Sequence, residues 1–280
     1  MQEHPFGTTG TNVGGTPRSS YDGRRVAFLT QHGKSKVVAP VLRQELGCTV
    51  ELVSGYDTDR LGTFTRDIPR EGTQIDAARR KAHIGMDPVA GLLPWNVELR
   101  VWIDAEREPE VVGLAQGSSV FAHLLTGEWN AIAGFAKQAG FPSHQLVVRP
   151  EGAEGRPVRK GVDTWADLEA AFRGALQQST NGPAFVETDV RASANPARML
   201  MIKRAAEDLA RKLCSSCPEC ATPGFSKVER IGGLRCAYCE APTKEMRAEV
   251  FGCAICEYRV IRERTDQQFA DPDQCDYCNP

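Results

Sequence analysis

Long hydrophobic runs are missing from this sequence of 280 residues, and so is an excess of charge of either sign. No apolar run approaches the roughly 18 residues that a membrane-spanning helix needs, which excludes a transmembrane protein. Thirty-four basic and 36 acidic side chains give a formal net charge of −2, so the whole chain has no electrostatic attraction to nucleic acid or anionic lipid. We therefore expect neither a membrane nor nucleic acid as its partner.

Cysteine is nearly absent from the first 213 residues, which contain Cys48 alone, whereas nine cysteines lie at or beyond Cys214. This change in composition predicts an α/β domain over residues 24–208 and a cysteine-rich domain over residues 209–280. Residues 1–23 are rich in Gly, Thr, Ser and Pro and lack the apolar stretch of a signal peptide, which is typical of a disordered leader. We accordingly expect a cytoplasmic protein whose thiols stay reduced.

Residues 24–213 alternate short β-prone runs with helical patterns, which predicts an α/β fold with a mixed sheet and flanking helices. The predicted strands are 26–29, 49–53, 97–103, 111–115, 145–149 and 184–188, and the predicted helices are 38–46, 71–85, 129–140, 164–178 and 196–213. Two capping boxes, Thr73 with Asp76 and Thr164 with Asp167, favour helix starts at those positions. The strands 97–103 and 111–115 are expected in the middle of the sheet.

Eight of the carboxy-terminal cysteines form four Cys-x2-Cys pairs. The pairs are Cys217 with Cys220, Cys236 with Cys239, Cys253 with Cys256, and Cys275 with Cys278. Taken consecutively, they are separated by 15 and 18 residues, which is the spacing of four-cysteine zinc sites. Two thiolates in one tight turn converge on an ion, and two such turns complete a tetrahedron. The sequence therefore predicts two structural zinc sites in a small double zinc-ribbon domain.

Spacing alone does not determine which pairs share a metal ion. We favour consecutive pairing, and a cross-braced arrangement, first pair with third and second with fourth, stays open. Disulfides are disfavoured in a reduced compartment, and the intervals match zinc better than iron–sulfur clusters. Cys214 is left over, either as a bystander or as a competitor of Cys217.

The cysteine-rich segment is acidic, with eight Lys or Arg and eleven Asp or Glu between residues 214 and 280. Each four-thiolate zinc site adds about −2 more, and such a surface repels phosphate backbones. A closed four-thiolate site also has no open position for a substrate. We therefore interpret the ribbons as a structural element or a protein-binding surface.

A candidate phosphate site follows the first predicted strand. Gly33-Lys34-Ser35 is not a P-loop, because Phe28 stands where that motif requires glycine. Lys34 and Lys36 nevertheless lie in a turn from a strand to a helix, where amides and ammonium groups can hold an anion. A solvated basic turn is the alternative.

Further polar residues extend this candidate site. Asp57 and Asp59 follow the second predicted strand, where paired carboxylates can hold Mg²⁺ through water, although a capped turn needs no function. Gln74 and Lys81 lie on the predicted helix 71–85 and would continue a cationic wall that faces phosphates.

Residues 71–82, Glu-Gly-Thr-Gln-Ile-Asp-Ala-Ala-Arg-Arg-Lys-Ala, resemble the Gly-x-Thr-aromatic-x-x-Asn-Ala-x-x-Lys-Ala helix of the inosine-triphosphatase and Maf-like nucleoside-triphosphate pyrophosphatases. Arg198 falls where that family keeps a basic residue near its last helix. The resemblance implies a hydrolase acting on a phosphoanhydride of a nucleotide. The sequence departs from the family after Gly85, where an acid-containing strand and loop are missing. One of four other carboxylates would therefore have to supply the catalytic group: Asp57, Asp59, Glu71 or Asp87.

The whole arrangement, from residue 24 to the final Cys-Asp-Tyr-Cys-Asn-Pro, also resembles a family of uncharacterised bacterial proteins known as a domain of unknown function. Two functional hypotheses follow. In the first, a zinc-binding protein uses its α/β domain to bind a nucleotide or other phosphorylated ligand, with pyrophosphatase-like hydrolysis as an extension. In the second, the ribbons dock a protein partner, and the protein is a non-catalytic interaction or regulatory module.

Overall fold

A computed structural model describes residues 19–30, 33–53, 73–75, 95–104, 110–118, 120–152, 158–180 and 182–280. In this part of the chain, twelve strands form three sheets, and four α-helices accompany them. None of the helices there is both long enough and apolar enough to cross a bilayer. The mixed α/β composition agrees with the sequence, but the strands are divided among separate sheets.

The first sheet has five strands in the order β2-β1-β3-β4-β5. They are β1 (Arg25–Leu29), β2 (Thr49–Val53), β3 (Thr73–Ile75), β4 (Trp95–Ile103) and β5 (Glu110–Ser118). Strands β2 and β3 pair with β1 in parallel, whereas β4 and β5 continue the sheet antiparallel. The sheet therefore has a parallel part, with an antiparallel pair of nine-residue strands added on one side.

Helices α1 (Ser35–Leu46) and α4 (Pro196–Leu213) pack with this sheet around one core. Phe28 and Trp102 are fully buried in that core, as are Ile202 and Leu209 of α4. The α4 helix begins at Pro196, as predicted, and the buried Asn195 caps it by accepting a hydrogen bond from Arg198 N–H. The apolar stripe of α4 lies in this core, as the sequence periodicity predicts.

The second sheet is antiparallel, with the strand order β6-β9-β7-β8. Its strands are β6 (His123–Thr126), β7 (Leu146–Pro150), β8 (Arg159–Val162) and β9 (Ala184–Thr188). Helices α2 (Trp129–Gln138) and α3 (Trp165–Gln178) supply Ile132, Leu168 and Phe172 to its core. Thr164 caps α3, as predicted, because its side chain accepts a hydrogen bond from Asp167 N–H.

The third sheet consists of β10 (Ser226–Gly232), β11 (Met246–Gly252) and β12 (Arg259–Glu263), all antiparallel. It follows α4. Gly224, just before β10, packs against Val111 of β5: a Cβ atom on this glycine would lie 2.5 Å from Val111 Cγ2. Phe225 packs near Phe251 and Tyr258 at the base of this sheet.

Three expectations from the sequence are wrong. The single mixed sheet is divided, because β7 and β9 pair with each other and with the short strands β6 and β8. Residues Thr73–Ile75 form a strand between β1 and β4 instead of starting a helix, so pairing on both sides overrides the local capping preference. Strand β5 lies at the sheet edge, where α4 packs against it.

Candidate metal centres

The eight paired cysteines form two groups in which all four sulfur atoms lie within 4.8 Å of one another. The first group is Cys217, Cys220, Cys253 and Cys256, and the second is Cys236, Cys239, Cys275 and Cys278. The first Cys-x2-Cys pair therefore shares a site with the third, and the second shares a site with the fourth. Our preferred consecutive pairing is wrong, and the cross-braced arrangement is the one that the chain adopts.

Strand topology explains this pairing. We call the four Cys-x2-Cys turns knuckles 1 to 4; they span 217–220, 236–239, 253–256 and 275–278. One antiparallel strand separates each knuckle from the next, so consecutive knuckles lie at opposite ends of the third sheet. Ser226 opposite Gly252 brings knuckles 1 and 3 together, and Ala248 opposite Glu263 brings knuckles 2 and 4 together. At about 3.3 Å per residue, a seven-residue strand holds the two centres about 20 Å apart.

Each of the first three knuckles has the same tight backbone. The residue after the second cysteine is left-handed, with φ of 58° at Ala221, 58° at Glu240 and 60° at Glu257. Its N–H donates to the carbonyl of the first cysteine at Ala221 and Glu240, with distances of 2.9 and 3.1 Å. A left-handed residue other than glycine costs about 1–2 kcal/mol, which the roughly 10–16 kcal/mol of structural zinc binding exceeds.

The sulfur geometry fits a tetrahedral ion. Across the first centre, Cys217 Sγ lies 3.6 Å from Cys256 Sγ, and Cys220 Sγ lies 3.6 Å from Cys253 Sγ. The corresponding distances in the second centre are 3.8 and 3.5 Å. Four ligands at about 2.3 Å from zinc would be about 3.8 Å apart, whereas a disulfide needs about 2.05 Å. All ten cysteines are free of disulfides, and both thiolate sites fit zinc.

Local donors stabilise part of each cluster as thiolate. The Thr222 side chain, whose Oγ1 lies 3.2 Å from Cys220 Sγ, and then the Thr222 amide lower the pKa of Cys220 to about 6. In the second centre, the N–H groups of Cys239 and Tyr238 lower the pKa of Cys236 to about 7. The neighbouring Cys239 thiol, followed by burial, raises the pKa of Cys278 to about 12. Four thiolates so close together therefore require a cation.

Cys214 lies outside both clusters. It caps the carboxyl end of α4, and its Sγ lies 3.7 Å from Glu45 O at the end of α1. Burial, followed by the negative charge of Glu45, raises the pKa of this thiol. Of the two roles left open for Cys214, this position fits the bystander and not a competitor of Cys217.

The predicted phosphate-site residues have different outcomes. Lys34 is half-buried at the amino-terminal cap of α1, and Lys36 is exposed in its first turn. Gln74 lies in β3, paired with Phe28 and Trp102 on the neighbouring strands, and not on the predicted helix. Three predicted residues lie outside the described part of the chain: Asp57, Asp59 and Lys81.

Sequence reasoning missed a row of buried polar side chains on β4. From Asn96 onward, every second residue of β4 is buried, and so is Asp104 directly after the strand. The set is Asn96, Glu98, Arg100, Trp102 and Asp104. Arg198 Nε donates to Glu98 Oε1 at 2.6 Å, and Arg100 Nη2 lies 3.8 Å from Glu98 Oε2. The available signal was the alternation of polar with apolar residues from Trp95 to Val101, which we interpreted only as an apolar run.

The first three residues of this row, Asn96, Glu98 and Arg100, lie at the end of the sheet where the parallel strands β1 and β3 finish. Ile75, the last residue of β3, pairs with both Leu29, the last residue of β1, and Val101. Because β4 is antiparallel, Glu98 and Arg100 lie beyond the carboxyl ends of β1 and β3. Strand β2, which follows β1 in the chain, pairs on one side of β1, whereas β3 pairs on its other side. In open α/β sheets, ligands bind at such a switch point.

Fold and sites together define an α/β protein with a cross-braced pair of four-cysteine sites that fit zinc. The chain belongs to the family described as Domain of unknown function (DUF6671), which matches residues 68–280. No curated protein and no solved structure matches the chain. The family description names no activity, so membership gives no support for nucleotide binding or hydrolysis.

Proposed function

We propose that this protein is a zinc-stabilised binding protein whose α/β part binds a nucleotide or other phosphorylated ligand at the carboxyl ends of β1 and β3. The observation that carries this proposal is the placement of basic side chains at the strand switch point. Lys34 begins α1 there, the buried Arg100 lies on β4, and Arg198 lies in the first turn of α4. Three separate elements thus bring basic side chains to one end of the sheet, where Glu98 offsets one of the three positive charges.

Helix electrostatics favour the same ligand. The amino terminus of a helix carries a partial positive charge that acidic residues in the first turn commonly offset. Neither α1 nor α4 has an acidic residue in its first turn. Since α1 directly follows β1, and Arg198 near the start of α4 contacts Glu98, both helices begin at this edge. Phosphate groups bind at helix amino termini and pair well with guanidinium groups.

Turnover of the ligand has weaker support than binding. Phosphoryl transfer requires carboxylates that hold Mg²⁺. Within the described residues, the groups of three or more side chains that could hold a metal are the two cysteine sites. Glu98 is already engaged by Arg198. We therefore propose phosphate-ligand binding as the function and treat hydrolysis as its extension, to be measured in the same experiment.

Calorimetric titration of the zinc-loaded protein with pyrophosphate, ATP and GTP, with and without Mg²⁺, tests this proposal. We expect saturable binding that Lys34→Ala weakens by about tenfold or more, because a charge-assisted hydrogen bond contributes about 1.5–3 kcal/mol. Lys160→Ala is the matched control, because Lys160 is an exposed lysine on β8 of the second sheet. Phosphate release is recorded on the same samples.

Two results would overturn the proposal. One is the absence of binding by any of the three anions to fully zinc-loaded protein. The other is an equal loss of affinity in Lys34→Ala and Lys160→Ala, which would indicate non-specific attraction to surface charge. Binding without phosphate release would support a ligand-binding role and exclude the hydrolytic extension for these compounds.

A further inference from the structure

We propose that the outer surface of the second metal centre, which we call the tyrosine face (Tyr238 and Tyr277), binds an arginine-rich segment of a partner protein. This proposal gives the interaction hypothesis a specific surface and a specific partner chemistry. It does not depend on the phosphate site in the α/β part.

The two tyrosines occupy equivalent places and are almost entirely exposed. Each directly precedes the second cysteine of its knuckle, and the exposed fractions are 83% for Tyr238 and 79% for Tyr277. No other large hydrophobic residue in the described part of the chain is as exposed. The first centre has Glu219 and Ile255 in the same two places. The aromatic pair is therefore a property of the second centre and not of the knuckle fold.

The two turns that carry the tyrosines meet at the second centre. Cys236 Sγ and Cys278 Sγ lie 3.8 Å apart, so the backbones of knuckles 2 and 4 meet around one ion site. The Tyr238 N–H donates to Cys236 Sγ at 3.4 Å, which fixes the backbone that carries this ring. Two rings on rigid turns can contact one short peptide at a small cost in conformational entropy.

Negative charge surrounds the same centre. Residues 235–245 and 264–280 carry six acidic and three basic side chains: Glu240, Glu245, Asp266, Asp271, Asp273 and Asp276, against Arg235, Lys244 and Arg264. The rest of the segment from residue 214 onward carries five of each sign. The acidic excess of the cysteine-rich segment therefore belongs entirely to the second centre, and a tetrathiolate zinc ion adds about −2 to it.

Exposed aromatic rings within a negative field select cations. A guanidinium group stacks on an aromatic face and is less strongly hydrated than an ammonium group, so arginine is favoured over lysine. The same field repels phosphate backbones, which argues against stacking of nucleic-acid bases on the tyrosines. The chemistry that fits this face is therefore a basic, arginine-bearing protein segment.

Fluorescence anisotropy with a labelled nona-arginine peptide and the zinc-loaded full chain tests the proposal. We expect the double substitution Tyr238→Ala and Tyr277→Ala to weaken binding about fivefold to thirtyfold, as two exposed cation–π contacts predict. Replacing both tyrosines by phenylalanine should change the affinity less than twofold. The matched control is Ile255→Ala, which changes the equivalent position of knuckle 3 in the first centre and should leave binding unchanged.

A second variant and a second probe complete the test. Glu240→Gln with Asp273→Asn keeps every thiol and both tyrosines, and it should weaken nona-arginine binding and reduce its dependence on salt. The proposal is overturned if this variant and the double alanine variant, each with two zinc ions bound, bind as tightly as the unmodified protein. Equal loss in Ile255→Ala would also overturn it. Binding of a nonathymidylate that depends on the two tyrosines would overturn the proposal and identify single-stranded nucleic acid as the ligand of this face.

Discussion

Gly113 marks the closest approach between a strand and a helix in the first core. A Cβ atom at this position of β5 would lie 2.3 Å from Ala205 O and 2.5 Å from Leu209 Cβ, both on α4. Backbone atoms of a packed helix cannot move aside locally, so the helix would have to shift. We predict that Gly113→Ala destabilises the protein by about 3 kcal/mol, the upper part of the usual range for overpacking.

Gly117 provides the matched control on the same strand. Its added Cβ would meet only the flexible end of Met201, 3.4 Å from Cε. Gly117→Ala should therefore be neutral or should stabilise the protein by up to about 1 kcal/mol, because it reduces the entropy of the unfolded chain.

Urea unfolding of zinc-loaded protein, followed by tryptophan fluorescence, measures both effects. Trp102 lies fully buried in the same core and reports on its loss. At about 2–4 °C per kcal/mol for a chain of this size, Gly113→Ala should also lower the melting temperature by about 6–12 °C. If Gly113→Ala is as stable as the unmodified protein, the packing of α4 directly on β5 is wrong.

Two further predictions concern buried charge. Arg198→Met should lower the free energy of unfolding by about 3–5 kcal/mol, because it leaves the buried Glu98 without its partner at 2.6 Å. The control is Arg211→Met on the same helix, whose side chain is 74% exposed and which should cost less than about 1 kcal/mol in the same urea assay. Burial raises the pKa of Asp189, but hydrogen bonds from Arg191 outweigh it and hold this pKa below 3.8. Asp189→Asn should therefore cost about 1.5–3 kcal/mol at pH 7, and this difference should shrink as the pH falls below about 4; a pH-independent difference would contradict the assignment.

Local sequence patterns predicted the elements that carry their own signals. The capping box at Thr164 and the apolar stripe of α4 gave starts within one residue of those observed. The four-residue strands β6 and β8 and the three strands between the knuckles were missed. These strands are short or largely exposed, so pairing with neighbours, and not a period-2 apolar pattern, defines them.

Two parts of the candidate sites required the tertiary structure. Cysteine spacing indicated four-cysteine zinc sites, but the antiparallel order of β10, β11 and β12 determines which knuckles meet. The buried row on β4 escaped the sequence because burial of Glu98 depends on Arg198, one hundred residues later. Asp57 and Asp59 stay predictions.

Cross-braced pairing of the knuckles is the central claim, and zinc content measured by mass spectrometry after gel filtration tests it most directly. Cys217 and Cys253 share a centre in this structure, whereas Cys217 and Cys236 do not. The double variant Cys217→Ser with Cys253→Ser should retain one tightly bound zinc ion, and Cys217→Ser with Cys236→Ser should retain none. The reverse result, no zinc in the first variant and one zinc ion in the second, would contradict cross-braced pairing and restore the consecutive arrangement.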